Sequence, residues 1–285
     1  MEPFISFQCE KERCKAGDLL KGNDISTNLM LEGFRRGLFQ RGGQILKRND
    51  YLYQGECLDI LLEDEQNDYE PVDLGLKVLY EDPDFLAIDK PPGLCMHSYR
   101  HRVNLTEGIS FLFHERRLKR KIRFVNRLDM DTSGIVLIAK HPYGQHAIEK
   151  RGMKRAYRAV VVGHLKPKSG LLKQRFAQDP SSHQYILSDK GKEAITDYRT
   201  MDSSKAASLL EIELKTGRTH QIRAAMAAIG HPIFGDSLYG GADSKMTRQA
   251  LHASHLAFYS LREERLVEVF SELPEDMEKL WANLR

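Results

Sequence analysis

The sequence predicts an α+β protein in which a mixed, largely antiparallel sheet carries peripheral helices and follows a small α+β N-terminal module. Segments rich in β-branched and aromatic residues outnumber the helical patterns. These segments often follow one another directly along the chain, and no internal repeat or low-complexity tract interrupts them. Successive strands without intervening helices favour antiparallel pairing over a doubly wound fold.

Local patterns give the order of the elements. The N-terminal segment NLMLEGFRRGLF has helical periodicity, and GGQILKRNDYLYQGECLDILL alternates like short strands. Next, LGLKVLYED and FLAIDK flank the turn residues Asp82, Pro83 and Asp84, which predicts a hairpin. Further strands are predicted at IRFVN, GIVLIAK, RAYRAVVVG, QYILS, AITDYRTM, SLLEIELK and LVEVF. Helical periodicity predicts further helices over residues 105–118, 143–153, 220–229 and 274–284.

The domain boundary is predicted in the acidic stretch EDEQNDYEPVD, residues 63–73, which interrupts the apolar periodicity like a solvated linker. Residues 1–72 then form the small module and residues 73–285 the larger domain. The module holds 9 Lys and Arg against 14 Asp and Glu, whereas the larger domain holds 34 against 26. A basic surplus in the larger domain favours a polyanionic partner such as nucleic acid.

Composition excludes several classes of protein. Hydrophobic residues make up 41% and charged residues 29% of the chain, which is near the globular average and unlike a disordered or fibrous sequence. The four cysteines form no CxxC pair and lack matching histidines, so they predict neither a zinc site nor a disulfide framework. Apolar runs are too short for a membrane span, and the acidic start does not resemble a signal peptide. We therefore expect a cytoplasmic protein, and a monomer is favoured although the sequence leaves the oligomeric state open.

The segment NRLDMDTSGIVLIAK, residues 126–140, places Asp129 in a polar turn between two predicted strands, where scaffolds often present reactive groups. A basic run precedes it: Arg116, Arg117, Lys119, Arg120, Lys121 and Arg123. Positive charge favours the ionised carboxylate that a nucleophile requires and attracts a phosphate backbone. Asp131 completes a DxD pair, so a metal-dependent phosphoesterase is an alternative, but no carboxylate cluster or phosphate-binding glycine loop supports it. We therefore expect no metal and no cofactor.

At this segment, RLDxxTSG with its following apolar strand resembles the signature of the RluA-type pseudouridine synthases. Further segments resemble that family in the same order: KPPGLCMH, TGRTHQIR, HPIFGDSLYG and LHASHLAF. The resemblance extends over residues 77–270. It implies an enzyme that isomerises specific uridines of ribosomal or transfer RNA to pseudouridine without metal, redox cofactor or ATP.

The resemblance also implies roles for individual residues. Asp129 corresponds to the catalytic nucleophile, Tyr157 to the tyrosine that lies against the target base, and Arg223 to the arginine that pairs with the nucleophile. Arg127 resembles the residue that enters the RNA stack in place of the flipped nucleotide, whose extrusion the chemistry requires. RNA contacts are expected from Arg127, Arg218 and the basic run, and support of the site from Asn126, Thr132, Thr219 and His220. Asn126 stands where the family has a histidine, which is not the nucleophile.

Two further hypotheses concern the activity of the protein and the role of its N-terminal module. A catalytically inactive RNA-binding or ribosome-assembly protein is the alternative to an enzyme, and the joint presence of Asp129, Tyr157 and Arg223 favours catalysis. The N-terminal module faintly resembles an alpha-L RNA-binding domain, although its net charge is negative.

Overall fold

The structure is a computed structural model that describes residues 4–97, 103–182, 184–263 and 265–285. The N-terminal module has the predicted α+β composition. Its elements are β1 (Phe4–Gln8), β2 (Arg13–Lys15), α1 (Ala16–Gly22), α2 (Thr27–Arg36), β3 (Phe39–Arg41), β4 (Gln44–Ile45), β5 (Tyr51–Tyr53) and β6 (Cys57–Leu61). Helix α2 begins after Ser26, whose side chain accepts a hydrogen bond from the Leu29 amide, and ends at Gly37 with a φ of 69°.

The larger domain is a mixed, largely antiparallel sheet, which confirms the predicted fold class. Its strands are β7 (Lys77–Glu81), β8 (Phe85–Lys90), β9 (Arg123–Phe124), β10 (Ser133–Ala139), β11 (Met153–Val162), β12 (Ser169–Gln178), β13 (Tyr185–Leu187), β14 (Lys192–Ser203), β15 (Ala207–Leu214), β16 (Leu251–Tyr259) and β17 (Leu266–Phe270). The described strands lie in the order β13-β12-β14-β15-β11-β16-β10-β8-β7, with β17 beside β16 and β9 beside β10. Only the β10–β16 pair is parallel among the strand pairs of the described residues.

Four helices pack on this sheet: α3 (Leu105–Glu115), α4 (Pro142–Arg151), α5 (Gln221–Ala228) and α6 (Glu275–Leu284). All four were predicted, and each ends within a few residues of its predicted bounds. The predicted hairpin around residues 82–84 is also present, as β7 and β8. Strands β12 and β16 were not predicted, because charged side chains interrupt SGLLKQRFAQ and alanines, serine and histidines dilute the β signal of LHASHLAFY.

A close contact between β10 and β16 fixes the position of the loop that precedes β10. Gly134 pairs with Ala253 and has a φ of 110°. A Cβ atom at residue 134 would lie 2.3 Å from the carbonyl oxygen of Ala253, so only glycine permits this approach. The glycine of the TSG motif therefore anchors the end of the segment that contains Asp129.

The two faces of the large sheet are covered by different parts of the chain. Along β10, Val136 and Ile138 belong to one hydrophobic cluster, whereas Ile135 and Leu137 belong to another, as expected for side chains that alternate across a sheet. The first cluster includes residues of α3, α5 and α6. The second includes N-terminal residues such as Phe39, so the module packs on the opposite face of the sheet.

The predicted linker, residues 63–73, has no regular secondary structure but runs along α3. The side chain of Asn67 donates to Ser110 Oγ at 3.0 Å, and Ser110 Oγ donates to the carbonyl of Tyr69 at 2.7 Å. The amide of Val72 donates to the carbonyl of Glu107 at 3.2 Å. These contacts attach the linker to the larger domain, and the domain boundary within it stays a prediction.

Candidate active site

Nine of the predicted site residues line one pocket with a cavity volume of about 260 Å³. They are Asn126, Arg127, Asp129, Thr132, Tyr157, Arg218, Thr219, His220 and Arg223. The pocket lies between the loop that joins β9 to β10, strand β11, and the segment that leads into α5. Residues almost 100 positions apart in the sequence therefore share one cavity.

Asp129 lies in the loop before β10, where its carbonyl accepts a hydrogen bond from the Thr132 amide at 3.1 Å. Its side chain is 25% exposed, and Oδ2 accepts a hydrogen bond from Nη1 of Arg223 at 3.2 Å. The other carboxylate oxygen, Oδ1, accepts no hydrogen bond from any residue that the structure describes. A carboxylate anchored by one oxygen with the other left open is suited to nucleophilic attack.

Arg223 is held in place by a second carboxylate, that of Asp236. The guanidinium donates from Nε and Nη2 to Asp236 at 2.7 and 2.8 Å, in a bidentate pair. Asp236 is buried and also accepts from the amides of Leu238 and Tyr239. Burial alone would lower the pKa of Arg223, but Asp236 and Asp129 hold it above its usual value. The arginine therefore stays charged and presents Nη1 to Asp129 in a fixed orientation.

Tyr157 reaches the pocket from β11, at a β-bulge between Ala156 and Tyr157 where the pairing with β16 shifts. Burial raises the pKa of the Tyr157 phenol to about 12. The hydroxyl is therefore protonated at neutral pH. In this position Tyr157 offers an aromatic face to a base and a neutral phenol that can relay a proton.

Lys90 supports the loop of Asp129 through hydrogen bonds to backbone carbonyls. It is fully buried at the end of β8, and its ammonium donates to the carbonyls of Pro91, Leu94 and Met130 at 2.9, 2.8 and 2.7 Å. Met130 directly follows Asp129, so this lysine fixes the backbone beside the carboxylate. Burial lowers the pKa of Lys90 to about 8.

Arg248 supports the same loop through a hydrogen bond to the carbonyl of Asp131. Its guanidinium forms a bidentate pair with Asp276 of α6 at 2.7 and 2.8 Å, and Nη1 donates to the carbonyl of Asp131 at 3.2 Å. The neighbouring Gln249 donates to Thr132 Oγ1 at 3.2 Å. Consecutive residues of the loop are thus tied to the segment that leads into β16.

Asn126, at the position of the family histidine, has a structural role in this chain. Its buried side chain accepts a hydrogen bond from the Leu137 amide at 2.8 Å and donates to the Ile135 carbonyl at 2.9 Å. These bonds resemble strand pairing and join the start of the loop to β10.

The sequence profile of the RNA pseudouridylate synthase family matches residues 84–228, about half of the chain. Over 246 residues the sequence is 36% identical to the uncharacterized RNA pseudouridine synthase YhcT of Bacillus subtilis, a match that covers 83% of this chain and 80% of that protein. The chain belongs to this family. Ribosomal large subunit pseudouridine synthase D of Xylella fastidiosa is 34% identical over 284 residues, covering 92% of this chain and 86% of that protein.

The fold of the synthase agrees with that of a solved human protein named RNA pseudouridylate synthase domain containing 4. The two structures superpose with a TM-score of 0.61 at 20% identity, over 73% of this chain and 93% of that chain. This superposition confirms the predicted fold. The family profile and the similarity to the synthase D sequences confirm the predicted RluA-type family.

The basic run of the synthase, which is predicted to contact RNA, lies beside the acidic linker and β7. None of its six basic residues lines the pocket. Four of them bind carboxylates of the linker or of β7: Arg116 pairs with Glu81, Lys119 and Arg120 with Asp64, and Arg123 with Glu65. A cation already paired with a carboxylate is a weaker phosphate ligand. Within the run, Arg117 and Lys121 are the two residues that form no ion pair with the residues that the structure describes. RNA contact by the six residues of the run stays a prediction.

Several site residues were not identified from the sequence. Lys90 and Asp236 lie in segments that carried the family resemblance but received no role, and their buried partners are distant in sequence. Arg248 lies outside those segments. Arg155 lines the pocket two residues before Tyr157, and its buried Nε has no hydrogen-bond partner among the described residues. Residues two apart on a strand point to the same face of the sheet, so the spacing of Arg155 from Tyr157 was the signal that could have identified it.

Among the residues that the structure describes, no three His, Cys, Asp or Glu side chains come together as metal ligands. None of the helices in the same residues is long and apolar enough to cross a membrane.

Proposed function

We propose that this pseudouridine synthase modifies specific uridines in large-subunit ribosomal RNA and uses Asp129 as its nucleophile. The observation that carries the proposal is the joint position of Asp129, Arg223 and Tyr157 in one pocket. Ribosomal RNA is favoured over transfer RNA because several relatives at 32 to 34% identity are named ribosomal large subunit pseudouridine synthases. An RNA substrate of this kind also supports the predicted location in the cytoplasm.

The reaction would begin with extrusion of the target uridine, because a stacked base cannot present its glycosidic bond to a carboxylate. Arg127 lies exposed at the pocket and would fill the gap in the RNA stack. Stacking of the extruded base on the ring of Tyr157 would offset part of the cost of unstacking.

The chemistry is an isomerisation in which the atoms of substrate and product balance. The N1–C1′ bond breaks with participation of the Asp129 carboxylate, the uracil turns, a C5–C1′ bond forms, and the proton on C5 is lost while N1 gains one. Arg223 would hold the Asp129 carboxylate in a fixed orientation through these steps. Because the phenol of Tyr157 is protonated at neutral pH, it would relay the C5 proton by taking it up while its own hydroxyl proton passes to solvent in the pocket.

Pseudouridine mapping at nucleotide resolution in total RNA tests the proposal. The RNA comes from cells that lack the gene and carry either the wild-type protein, Asp129→Asn or no copy. We expect one or more positions in large-subunit ribosomal RNA to depend on the wild-type protein, and the near-isosteric asparagine variant to restore less than about 1% of the signal.

A dependent position found only in transfer RNA would overturn the ribosomal assignment while retaining the chemistry. Restoration by Asp129→Asn at matched protein levels, with deamidation excluded by mass spectrometry, would overturn the role of Asp129.

A further inference from the structure

A chain of polar contacts leads from the β12–β13 hairpin to the catalytic carboxylate. The backbone amide of Tyr185 donates to the hydroxyl oxygen of Tyr239 at 2.7 Å. That hydroxyl lies 3.2 Å from Nδ1 of His220, and Nε2 of the same imidazole lies 3.9 Å from Oδ2 of Asp129. His220 was expected only to support the site, and Tyr239 had no expected role.

The chain of contacts favours one tautomer of the His220 imidazole. The Tyr185 amide can only donate, so the Tyr239 oxygen accepts from it and has its own proton available for Nδ1 of His220. A neutral imidazole that accepts at Nδ1 carries its proton on Nε2. Burial lowers the pKa of His220, which favours this neutral ring. The opposite tautomer would direct a lone pair of Nε2 at the Asp129 carboxylate.

We propose that Tyr239 holds His220 with its proton on Nε2, and that this N–H donates to Oδ2 of Asp129 once RNA fills the pocket. The inference rests on the proposed function. The distance of 3.9 Å is too long for a hydrogen bond, but contacts of this kind shorten when the substrate complex forms. Oδ2 would then have two donors, Arg223 and His220, and Oδ1 would be the attacking oxygen. His220 is thus a positioning residue, and Tyr239 acts through it.

The backbone and neighbours of His220 support a fixed orientation of the ring. Its φ of 52° lies in the left-handed region, which is uncommon for a residue with a side chain. The rings of Tyr185 and Tyr239 each meet the imidazole edge to face, with centroids 5.8 Å away. The guanidinium of Arg223 lies 5.2 Å from the centre of the Tyr239 ring, so the tyrosine contacts both donors of Oδ2.

Two amide substitutions of His220 distinguish the role of its Nε2–H donor from the role of its left-handed backbone. In His220→Gln the amide nitrogen reaches the position of Nε2, whereas in His220→Asn the shorter side chain reaches only that of Nδ1. Asparagine adopts the left-handed backbone more readily than glutamine, so a purely conformational role favours Asn. We expect the Asn variant to lose roughly 10- to 100-fold in single-turnover rate and the Gln variant to stay within about fivefold of wild type.

The assay uses large-subunit ribosomal RNA transcribed with uridine tritiated at C5, and measures tritium release at saturating enzyme. RNA affinity is measured separately and is expected to change by less than about threefold, since the effect concerns the chemical step. An Asn variant as active as, or more active than, the Gln variant would overturn the proposal. If the wild-type enzyme releases no tritium from any RNA, the proposed function fails, and the inference fails with it.

A second test removes the hydroxyl of Tyr239 and follows activity against pH. Ionisable groups facing His220 are Asp129, Arg223, Asp236 and the two tyrosines. In Tyr239→Phe, a protonated imidazole still carries Nε2–H at low pH, but the neutral ring divides between two tautomers as pH rises through its pKa. Because burial lowers the pKa of His220, the rate of this variant relative to wild type should fall several-fold as pH rises through a range below the ordinary histidine value of about 6.5, and should then stay low up to about pH 8.

Tyr198→Phe is the matched control, because it removes a buried tyrosine hydroxyl that lies outside the pocket. Among the residues that the structure describes, this hydroxyl donates a hydrogen bond to the carbonyl of Pro167 alone. Its rate relative to wild type should not depend on pH. A ratio for Tyr239→Phe that is equally independent of pH contradicts the role of Tyr239 in fixing the tautomer.

Discussion

Replacing Arg223 with lysine tests whether the nucleophile requires the geometry of a guanidinium or only a positive charge. Lysine keeps the charge but has a single ammonium, which cannot reproduce the bidentate pair with Asp236 and the bond to Asp129 together. The side chain of Asp236 is completely buried, whereas that of Asp129 is 25% exposed. An unpaired buried carboxylate costs about 3–5 kcal/mol, so the ammonium should remain with Asp236.

The expected loss of activity follows from the single contact that Asp129 then lacks. A hydrogen bond to a charged group contributes about 1.5–3 kcal/mol. If this stabilisation acts in the transition state, Arg223→Lys should slow the single-turnover rate by about 10- to 160-fold. Because the buried charge pair survives, the free energy of unfolding should fall by only about 1–3 kcal/mol.

Tritium release from C5-labelled RNA at saturating enzyme measures the rate, and urea unfolding measures stability. Arg199→Lys is the matched control, because Arg199 forms an exposed ion pair with Glu211 outside the pocket. Its rate should remain within about twofold of wild type, as expected for a surface pair. A rate for Arg223→Lys that equals that of Arg199→Lys would refute the argument that a fixed guanidinium orients Asp129.

Three further predictions concern Lys90, the basic run and the N-terminal module. The pKa of Lys90 is about 8 in the folded state against 10.5 in the unfolded chain, so the unfolded state binds more protons between these values and unfolding free energy should rise there with pH. Lys90→Met should abolish this rise in unfolding free energy between pH 8 and 10.5. Urea unfolding at several pH values measures the rise, and a rise that persists in the variant would contradict the prediction. Replacing Arg117 and Lys121 together with alanine should reduce the salt dependence of RNA affinity by up to about two ions, and an unaltered slope in binding titrations would place both away from RNA. Deleting residues 1–72 should yield aggregated protein, because it uncovers the apolar sheet face, and a soluble, monomeric product by size-exclusion chromatography would contradict this.

The sequence predicted the fold class because strand signals, hairpin turns and helix periods are local properties. Helix α3 is an example, since Asn104 and Glu107 form a capping box that marks its start within four residues. Strand β16 was missed because its stability comes from burial between neighbouring strands rather than from its own composition. The two-residue β9 is shorter than predicted, since Asn126 takes over the pairing with β10 through its side chain.

The candidate site was predictable where a motif identifies a residue and unpredictable where a partner lies far along the chain. The nearness of Asp129 to Arg223 was expected from the family resemblance. The second carboxylate on Arg223, Asp236, could not be inferred from spacing, because its position depends on how the segment after α5 turns back. The ion pairs of the basic run could not be inferred for a related reason: charge density alone did not indicate that the acidic linker would fold against it.

The N-terminal module contributes to the larger domain in a way that the linker sequence does not suggest. Phe85, Leu137 and Phe258 of the large sheet are almost completely buried, and they share a cluster with Ile5 and Phe39 of the module. Because alternate residues of β10 face the two clusters, the module covers the face of the sheet opposite the one that carries α5 and Tyr157. Any RNA contact by the module must therefore involve RNA that extends around the edge of the sheet. The module buries its own face of the sheet whether or not RNA is bound. Deletion of the module consequently cannot separate RNA affinity from folding, and substitutions of its exposed cations are the informative change.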